Sequence, residues 1–178
     1  MKARARLVSV PCTLPFALLA LAVAGAGCSK AREAATHGSS ETQALAAPPA
    51  DCGHTVCADS FFIDAPPASC AAGAPCSVAV RLVATGDFHV NDEYPYRFKA
   101  DDAPGVAFDG TDPSGKNTFS KSAGDWQKSD AKSGAMTLKF VAADPGTRPL
   151  AGTFKLSVCS AQACLLEQRQ VTATVVTK

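Results

Sequence analysis

Residues 154–158 read Phe-Lys-Leu-Ser-Val, so apolar side chains recur at every second position. This period is typical of a half-buried β-strand, because successive side chains of a strand point to opposite faces of its sheet. The trio Phe154, Leu156 and Val158 is therefore expected to face a core. The same alternation recurs in three further stretches, which are residues 78–83, 136–140 and 171–176.

No window beyond Asp51 keeps a helical period, so the folded part is predicted to be all-β. Shorter strand candidates are Phe61 to Asp64, Asp87 to Val90, Tyr96 to Lys99 and Val106 to Phe108. About seven or eight short strands predict an antiparallel β-sandwich of two packed sheets.

The stretch between Asp109 and Gly134 is polar and contains Phe119 and Trp126 as its candidate core residues. We expect a long connection between the sheets that carries one weak strand and is mainly exposed to solvent, as long connections in sandwiches often are. A functional loop is the alternative, because long loops often carry function.

Composition narrows the function classes. The 178 residues include 17 Lys plus Arg against 16 Asp plus Glu, and this balance argues against a nucleic-acid partner. With 47% hydrophobic and 19% charged residues, the chain has enough apolar material for one packed domain.

The sequence contains no nucleophile elbow, no zinc-protease motif, no phosphate-binding glycine loop and no EF-hand loop. We therefore predict no catalytic residue, no metal site and no cofactor.

The N-terminal segment has the plan of an export signal. Lys2, Arg4 and Arg6 precede an uncharged stretch that reaches Gly27, and the apolar core FALLALAVA lies at residues 16–24. The small residues at 25–27 followed by Cys28 resemble the bacterial lipobox, in which a diacylglycerol is attached to the cysteine. The resemblance implies a signal peptide at residues 1–27 and lipidation of Cys28.

Two alternatives remain for the N-terminal segment: an uncleaved helical anchor, or secretion after cleavage at a nearby site. Pro11 and Pro15 count against the anchor, because each interrupts helical hydrogen bonding. Ser29 follows Cys28 where an inner-membrane retention signal has Asp, so we expect a lipid anchor at the periplasmic face of the outer membrane.

Residues 28–50 are predicted to be a flexible tether. The stretch from Ser29 to Ala50 has no aromatic residue and a single Leu, so it cannot bury enough apolar area to offset the entropy of ordering. The folded domain is then expected to span residues 51–178.

Six cysteines of the folded part fall into three close pairs, which are Cys52 and Cys57, Cys70 and Cys76, and Cys159 and Cys164. An exported protein is expected to pair them locally as disulfides. Zinc binding is the alternative, although structural zinc usually prefers C-x2-C spacing with matching histidines. The last pair flanks Ser160 to Ala163, which is expected to form a hairpin loop between two strands.

The runs Asp87 to Asn91 and Phe154 to Cys159, followed by Cys164, resemble the periplasmic N-terminal domain of thiol:disulfide interchange proteins. The resemblance implies an immunoglobulin-like sandwich with redox cysteines at Cys159 and Cys164. This chain departs from that family after the second cysteine, because Leu165-Leu166-Glu167 replaces an aromatic-proline run.

Tyr94-Pro95-Tyr96 is the most distinctive candidate recognition element. Pro95 lacks a backbone N–H and places the run at a turn or a sheet edge, where Tyr94, Tyr96 and the nearby His89 would form a surface patch. The alternative is that both tyrosines cover the end of the sandwich and that His89 is a hydrogen-bonded structural residue.

The leading functional hypothesis is a non-catalytic envelope lipoprotein that binds an envelope protein and reaches the membrane through its lipid. The second hypothesis is a thiol-disulfide relay that uses Cys159 and Cys164. Metal delivery ranks third, because no cluster of soft ligands with histidine is evident in the sequence.

Overall fold

The computed structural model describes residues 52–178. The predicted signal peptide at 1–27, the lipidated Cys28 and the tether up to residue 50 lie outside the described residues. The described part forms twelve β-strands: β1 (Val56–Cys57), β2 (Phe61–Asp64), β3 (Ala68–Cys70), β4 (Pro75–Ala84), β5 (His89–Val90), β6 (Arg97–Ala100), β7 (Val106–Phe108), β8 (Thr118–Ser120), β9 (Trp126–Lys128), β10 (Ser133–Ala142), β11 (Gly146–Cys159) and β12 (Cys164–Thr177). Within residues 52–178, no helix is long and apolar enough to cross a membrane.

The strands form two six-stranded sheets that enclose one core. The first sheet has the order β1-β2-β4-β10-β7, with β9 also paired to β10. The second has the order β3-β12-β11-β6-β8, with β5 also paired to β11. All pairs are antiparallel except β3 with β12.

This order is that of an immunoglobulin-like sandwich. Strands β2, β4, β10 and β7 correspond to A, B, E and D of that fold, and β6, β11 and β12 correspond to C, F and G. The predicted fold class is confirmed. The strand number is higher than predicted, because β1, β3, β8 and β9 have only two or three residues each and are too short to show a period.

The alternating trio of the sequence lies in the core as predicted. Phe154, Leu156 and Val158 each have 0% of their surface exposed. Full burial of a Leu, Val or Phe side chain is worth about 1.5–3 kcal/mol. Strand β10 faces this trio across the core with side chains of the same period, namely Met136, Leu138 and Phe140.

Strand β11 is longer than its alternation suggests. It pairs with β12 over 14 residues, from Gly146 opposite Thr177 to Cys159 opposite Cys164. The first half of β11 was not predicted, because Pro149 and Gly152 interrupt its apolar alternation. A Cβ at Gly152 would collide with the ring of Phe98 on β6, so glycine allows β6 to approach.

The polar stretch 109–134 is more ordered than expected. It contributes the two strands β8 and β9, and it buries Phe119 (0% exposed) and Trp126 (7% exposed). The prediction of a mainly solvated connection is therefore wrong for residues 118–128. Burial of the two rings against the core outweighs the polar character of their neighbours.

A buried carboxylate fixes this stretch. The side chain of Asp125 has 0% exposure and accepts hydrogen bonds from the backbone N–H of Ser120 (3.1 Å) and from Nζ of Lys139 (3.0 Å). A buried charge with such partners is tolerated, whereas an unpaired one would be costly.

The six cysteines form the three local disulfides that their spacing predicted. Cys52–Cys57 closes the turn that leads into β1, with a Cα–Cα distance of 6.5 Å. Cys70–Cys76 joins β3 of one sheet to β4 of the other, at 5.9 Å. Cys159–Cys164 joins the facing ends of β11 and β12, at 4.0 Å.

Candidate functional site

The β11–β12 hairpin ends at a bridged tip. Cys159 and Cys164 are directly opposed, and the loop between them is closed by a hydrogen bond from the N–H of Ser160 to the carbonyl oxygen of Ala163 (2.8 Å). The backbone N–H groups of Gln162 and Ala163 also donate to Oγ of Ser160, at 3.2 and 3.3 Å, and add to this closure. The tip is thus held by backbone pairing, by a capping hydroxyl and by the disulfide.

Strand β5 places a histidine beside the bridge. His89 is opposite Cys159, and Val90 is opposite Val158. Because Val90 and Val158 face the core, His89, Cys159 and Cys164 form a row on the outer face of the sheet. His89 and Cys164 are exposed, whereas Cys159, between them, is only 6% exposed.

Polar contacts from the turn between β9 and β10 hold β5 in this position. The N–H of Val90 donates to the carbonyl oxygen of Ala131 (2.9 Å). Nζ of Lys132 donates to the carbonyl oxygens of Phe88 (2.6 Å) and Gly86 (2.5 Å). The short strand is therefore fixed on both sides.

Leu166 extends the row with an exposed apolar side chain. It lies two residues after Cys164 and so points to the same face, and 69% of its surface is exposed. We call His89, Cys159, Cys164 and Leu166 the hairpin surface. Leu166 was not among the site residues predicted from the sequence. The signal was the Leu165-Leu166 doublet, since two adjacent residues of a strand cannot both face the core.

Tyr96 is not part of a recognition surface, which corrects the sequence-based prediction. Its side chain is fully buried, stacks on Trp126 with ring centroids 4.1 Å apart, and donates from its hydroxyl to the carbonyl oxygen of Ser157 (2.6 Å). Burial raises the pKa of the Tyr96 hydroxyl well above its usual range. The alternation of Tyr96 with the buried Phe98 was the signal for a core position.

Tyr94 is half-buried and meets Tyr96 edge-on, with centroids 5.2 Å apart. Burial raises its pKa as well. The segment that carries it covers β11 just before the bridge, because Asn91 Nδ2 donates to Oγ of the buried Ser157 (3.3 Å). His89 and Tyr94 therefore retain exposed surface, whereas Tyr96 anchors their segment.

Ion pairing fixes the same loop. Asp92 forms a 2.6 Å pair with Nζ of Lys128, and the Lys121 ammonium donates to the carbonyl oxygen of Asp92. The hydrogen bond from Lys128 holds the pKa of the Asp92 carboxyl below its usual value. The sequence did not predict these residues, because they are distant in sequence and no local pattern links them.

The hairpin surface can offer two kinds of chemistry. It presents an apolar side chain on a rigid support, and it presents a disulfide whose Cys164 half is accessible. Among residues 52–178, no group of three or more His, Cys, Asp or Glu side chains is arranged to hold a metal ion.

Comparison with known proteins gives little similarity. No family model matches the chain, and no curated protein matches it. Among solved structures, the chain is similar to AggA, the major subunit of aggregative adherence fimbriae type I from Escherichia coli, with 11% identity and a TM-score of 0.33. That match covers 70% of this chain and 99% of the fimbrial chain. The fold assignment rests on the strand order given above.

Proposed function

We propose that this protein is a non-catalytic, lipid-anchored module that binds another protein of the bacterial cell envelope through the hairpin surface. The observation that carries the proposal is Leu166, a large apolar side chain that is 69% exposed beside a bridged hairpin tip. Burying such a side chain in a partner contributes about 1.5–3 kcal/mol.

The rigidity of the tip supports binding by contact. Backbone pairing, Ser160 and the Cys159–Cys164 bridge hold the surface in one conformation before a partner arrives. A preorganised surface loses less conformational entropy on association, so more of the contact energy appears as affinity.

The anchor is the second element of the proposal. Cleavage after residue 27 and acylation of Cys28 would hold the domain at the periplasmic face of the outer membrane, with residues 29–50 as a tether. Cys28→Ser is expected to abolish incorporation of labelled fatty acid and to leave the precursor uncut. A mature N terminus well downstream of Cys28 that carries no lipid would contradict the anchor.

The contact proposal is tested by placing a photo-crosslinking amino acid at position 166 in the intact envelope, and at Thr172 as a control on the same face of β12. We expect one discrete adduct from position 166, identified by mass spectrometry, and none from position 172. Binding of the purified partner should then weaken at least about tenfold, or about 1.4 kcal/mol, in Leu166→Asp but not in Thr172→Asp. Equal loss in both variants, or no adduct, would contradict the proposal.

A thiol-disulfide relay is the second candidate, favoured by the exposure of Cys164 next to the shielded Cys159. In such a relay a partner thiolate attacks the Cys164 sulfur, the bridge breaks, and Cys159 leaves as a thiolate. A second thiolate of the partner then attacks the partner sulfur of the mixed disulfide, and Cys164 leaves as a thiolate. The partner is released as a disulfide, and its two electrons have reduced the Cys159–Cys164 bridge. His89 is in register with Cys159 and lies on the same face of the sheet as the leaving sulfur.

A further inference from the structure

A cluster of cations lies on the outer face of the second sheet, away from the hairpin tip. It lines a cleft of about 360 Å³ that we call the cationic cleft, with lining residues Arg97, Lys99, Ser114, Thr118, Thr153, Lys155 and Gln168. Neither the sequence patterns nor the proposed contact function uses these residues.

Strand register brings the cations together. Lys155 on β11 is directly opposite Arg97 on β6, and on its other side it is opposite Gln168 on β12. In the next row, Lys99 lies opposite Thr153. Because facing residues of neighbouring strands point to the same side, all of these side chains project from one face.

This arrangement costs stability in the absence of a ligand. Like charges that face each other directly across two strands are destabilising. Within residues 52–178, no carboxylate lies within 4.0 Å of the ammonium group of Lys99 or of Lys155. The repulsion between Lys155 and Arg97 is therefore not relieved by an acidic partner on either lysine.

Arg97 forms an ion pair with a buried carboxylate. One of its terminal nitrogens is 3.5 Å from Oδ2 of Asp112, whose side chain is only 1% exposed. The other oxygen of Asp112 accepts a hydrogen bond from the backbone N–H of Ser114 (2.8 Å). Asp112 thus offsets one of the three positive charges, which leaves an excess of about two.

We propose that the cationic cleft binds a doubly charged tetrahedral oxyanion, the group that inorganic sulfate and phosphate monoesters share. Such a group balances the excess charge and accepts charge-assisted hydrogen bonds from the guanidinium and both ammonium groups. The hydroxyl of Thr118 and the amide of Gln168 also line the cleft and can supply further donors. The cleft is larger than one such anion and leaves room for the group that carries it.

The cleft adjoins the hairpin surface, because Gln168 lies two residues after Leu166 on the same face of β12, about 7 Å along the strand. The two proposals use different side chains. Lys155→Gln removes a cation of the cleft and leaves Leu166 in place, whereas Leu166→Asp leaves the three cations in place.

The test uses the full chain purified in detergent and isothermal titration with inorganic sulfate and with glucose 6-phosphate. We expect saturable binding that weakens as ionic strength rises. Lys155→Gln should weaken binding at least tenfold. Lys178→Gln removes the same charge near the far end of β12 and should bind as the unchanged protein does.

A parallel experiment uses vesicles that contain phosphatidic acid, with neutral vesicles as the control. Binding of the free anions supports a soluble source, whereas binding to phosphatidic acid vesicles alone supports a lipid headgroup. The proposal is overturned if neither probe binds, or if Lys178→Gln loses as much affinity as Lys155→Gln. Because the substitution removes a repulsion, Lys155→Gln should unfold at an equal or higher temperature, and a clearly lower temperature would also contradict the proposal.

Discussion

Two disulfides of similar loop length occupy very different places in this sandwich. Cys70–Cys76 links strands of opposite sheets, and β3, which carries Cys70, has only three residues to hold it against β12. Cys159–Cys164 links two strands that are already paired over 14 residues. The first bridge therefore adds a covalent link between the sheets to a three-residue strand that is otherwise held by its pairing with β12 and by backbone hydrogen bonds of residues 70–73 to Lys178 and Ala142. The second lies where long backbone pairing already fixes the geometry.

The difference suggests a division of roles. The Cys159–Cys164 bridge joins strands that are already paired, and it lies in the row that ends at the exposed Leu166. We infer that it keeps the hairpin surface in one shape. Four predictions test this division, in order of decreasing effect.

Removal of the bridge between the sheets should have the largest effect. The double variant Cys70→Ala/Cys76→Ala is expected to lower the free energy of unfolding by about 2–4 kcal/mol, through loop entropy and the release of β3. Denaturant unfolding measures the loss, and hydrogen exchange should show faster exchange at residues 68–70. A loss below that of the hairpin double variant would contradict the division of roles.

Removal of the hairpin bridge should cost less. For Cys159→Ala/Cys164→Ala we expect a loss of about 2 kcal/mol or less, because the closed loop is short and the paired strands remain. Amide exchange in the core of β11 should stay slow, whereas exchange at residues 160–163 should rise. Unfolding of the whole sandwich in this variant would show that the bridge is required for the fold.

Substitution of the exposed leucine should scarcely change stability. Leu166→Asp is expected to alter the free energy of unfolding by no more than about 0.5 kcal/mol, since the side chain has few contacts to lose. The core control Leu156→Ala should cost about 2–5 kcal/mol. Thermal unfolding of both variants separates the surface role from the core role. A comparable loss of stability in both variants would show that Leu166 is required for the stability of the sandwich.

The sequence predicted those parts of the fold that follow a period. All eight predicted strand segments coincide with strands, and Phe154, Leu156 and Val158 are buried as expected. Elements of two or three residues were missed, because so few positions cannot display alternation. The regular structure of residues 118–128 was missed for a different reason. It depends on hydrogen bonds from Ser120 and Lys139 to the Asp125 carboxylate, and no local pattern in the sequence indicates these contacts.

The candidate site was only partly predictable. Local spacing indicated the Cys159–Cys164 hairpin and placed His89 nearby, but it did not show that β5 lies in register with Cys159. Tyr96 was misplaced because an amphipathic aromatic residue next to a proline suits a surface as well as a core. Register between strands distant in sequence is set by packing, and a single sequence carries no direct signal for it.

The reduction potential of Cys159–Cys164 tests most directly whether the bridge is a structural support or a reaction centre. The hairpin holds the two sulfurs side by side, so the bond should re-form readily after reduction. We therefore expect a potential below about −300 mV and a bridge that stays oxidised with a thioredoxin-like reductant. A potential between about −180 and −270 mV, together with a mixed disulfide trapped in Cys159→Ala or Cys164→Ala, would contradict the account and assign the relay instead.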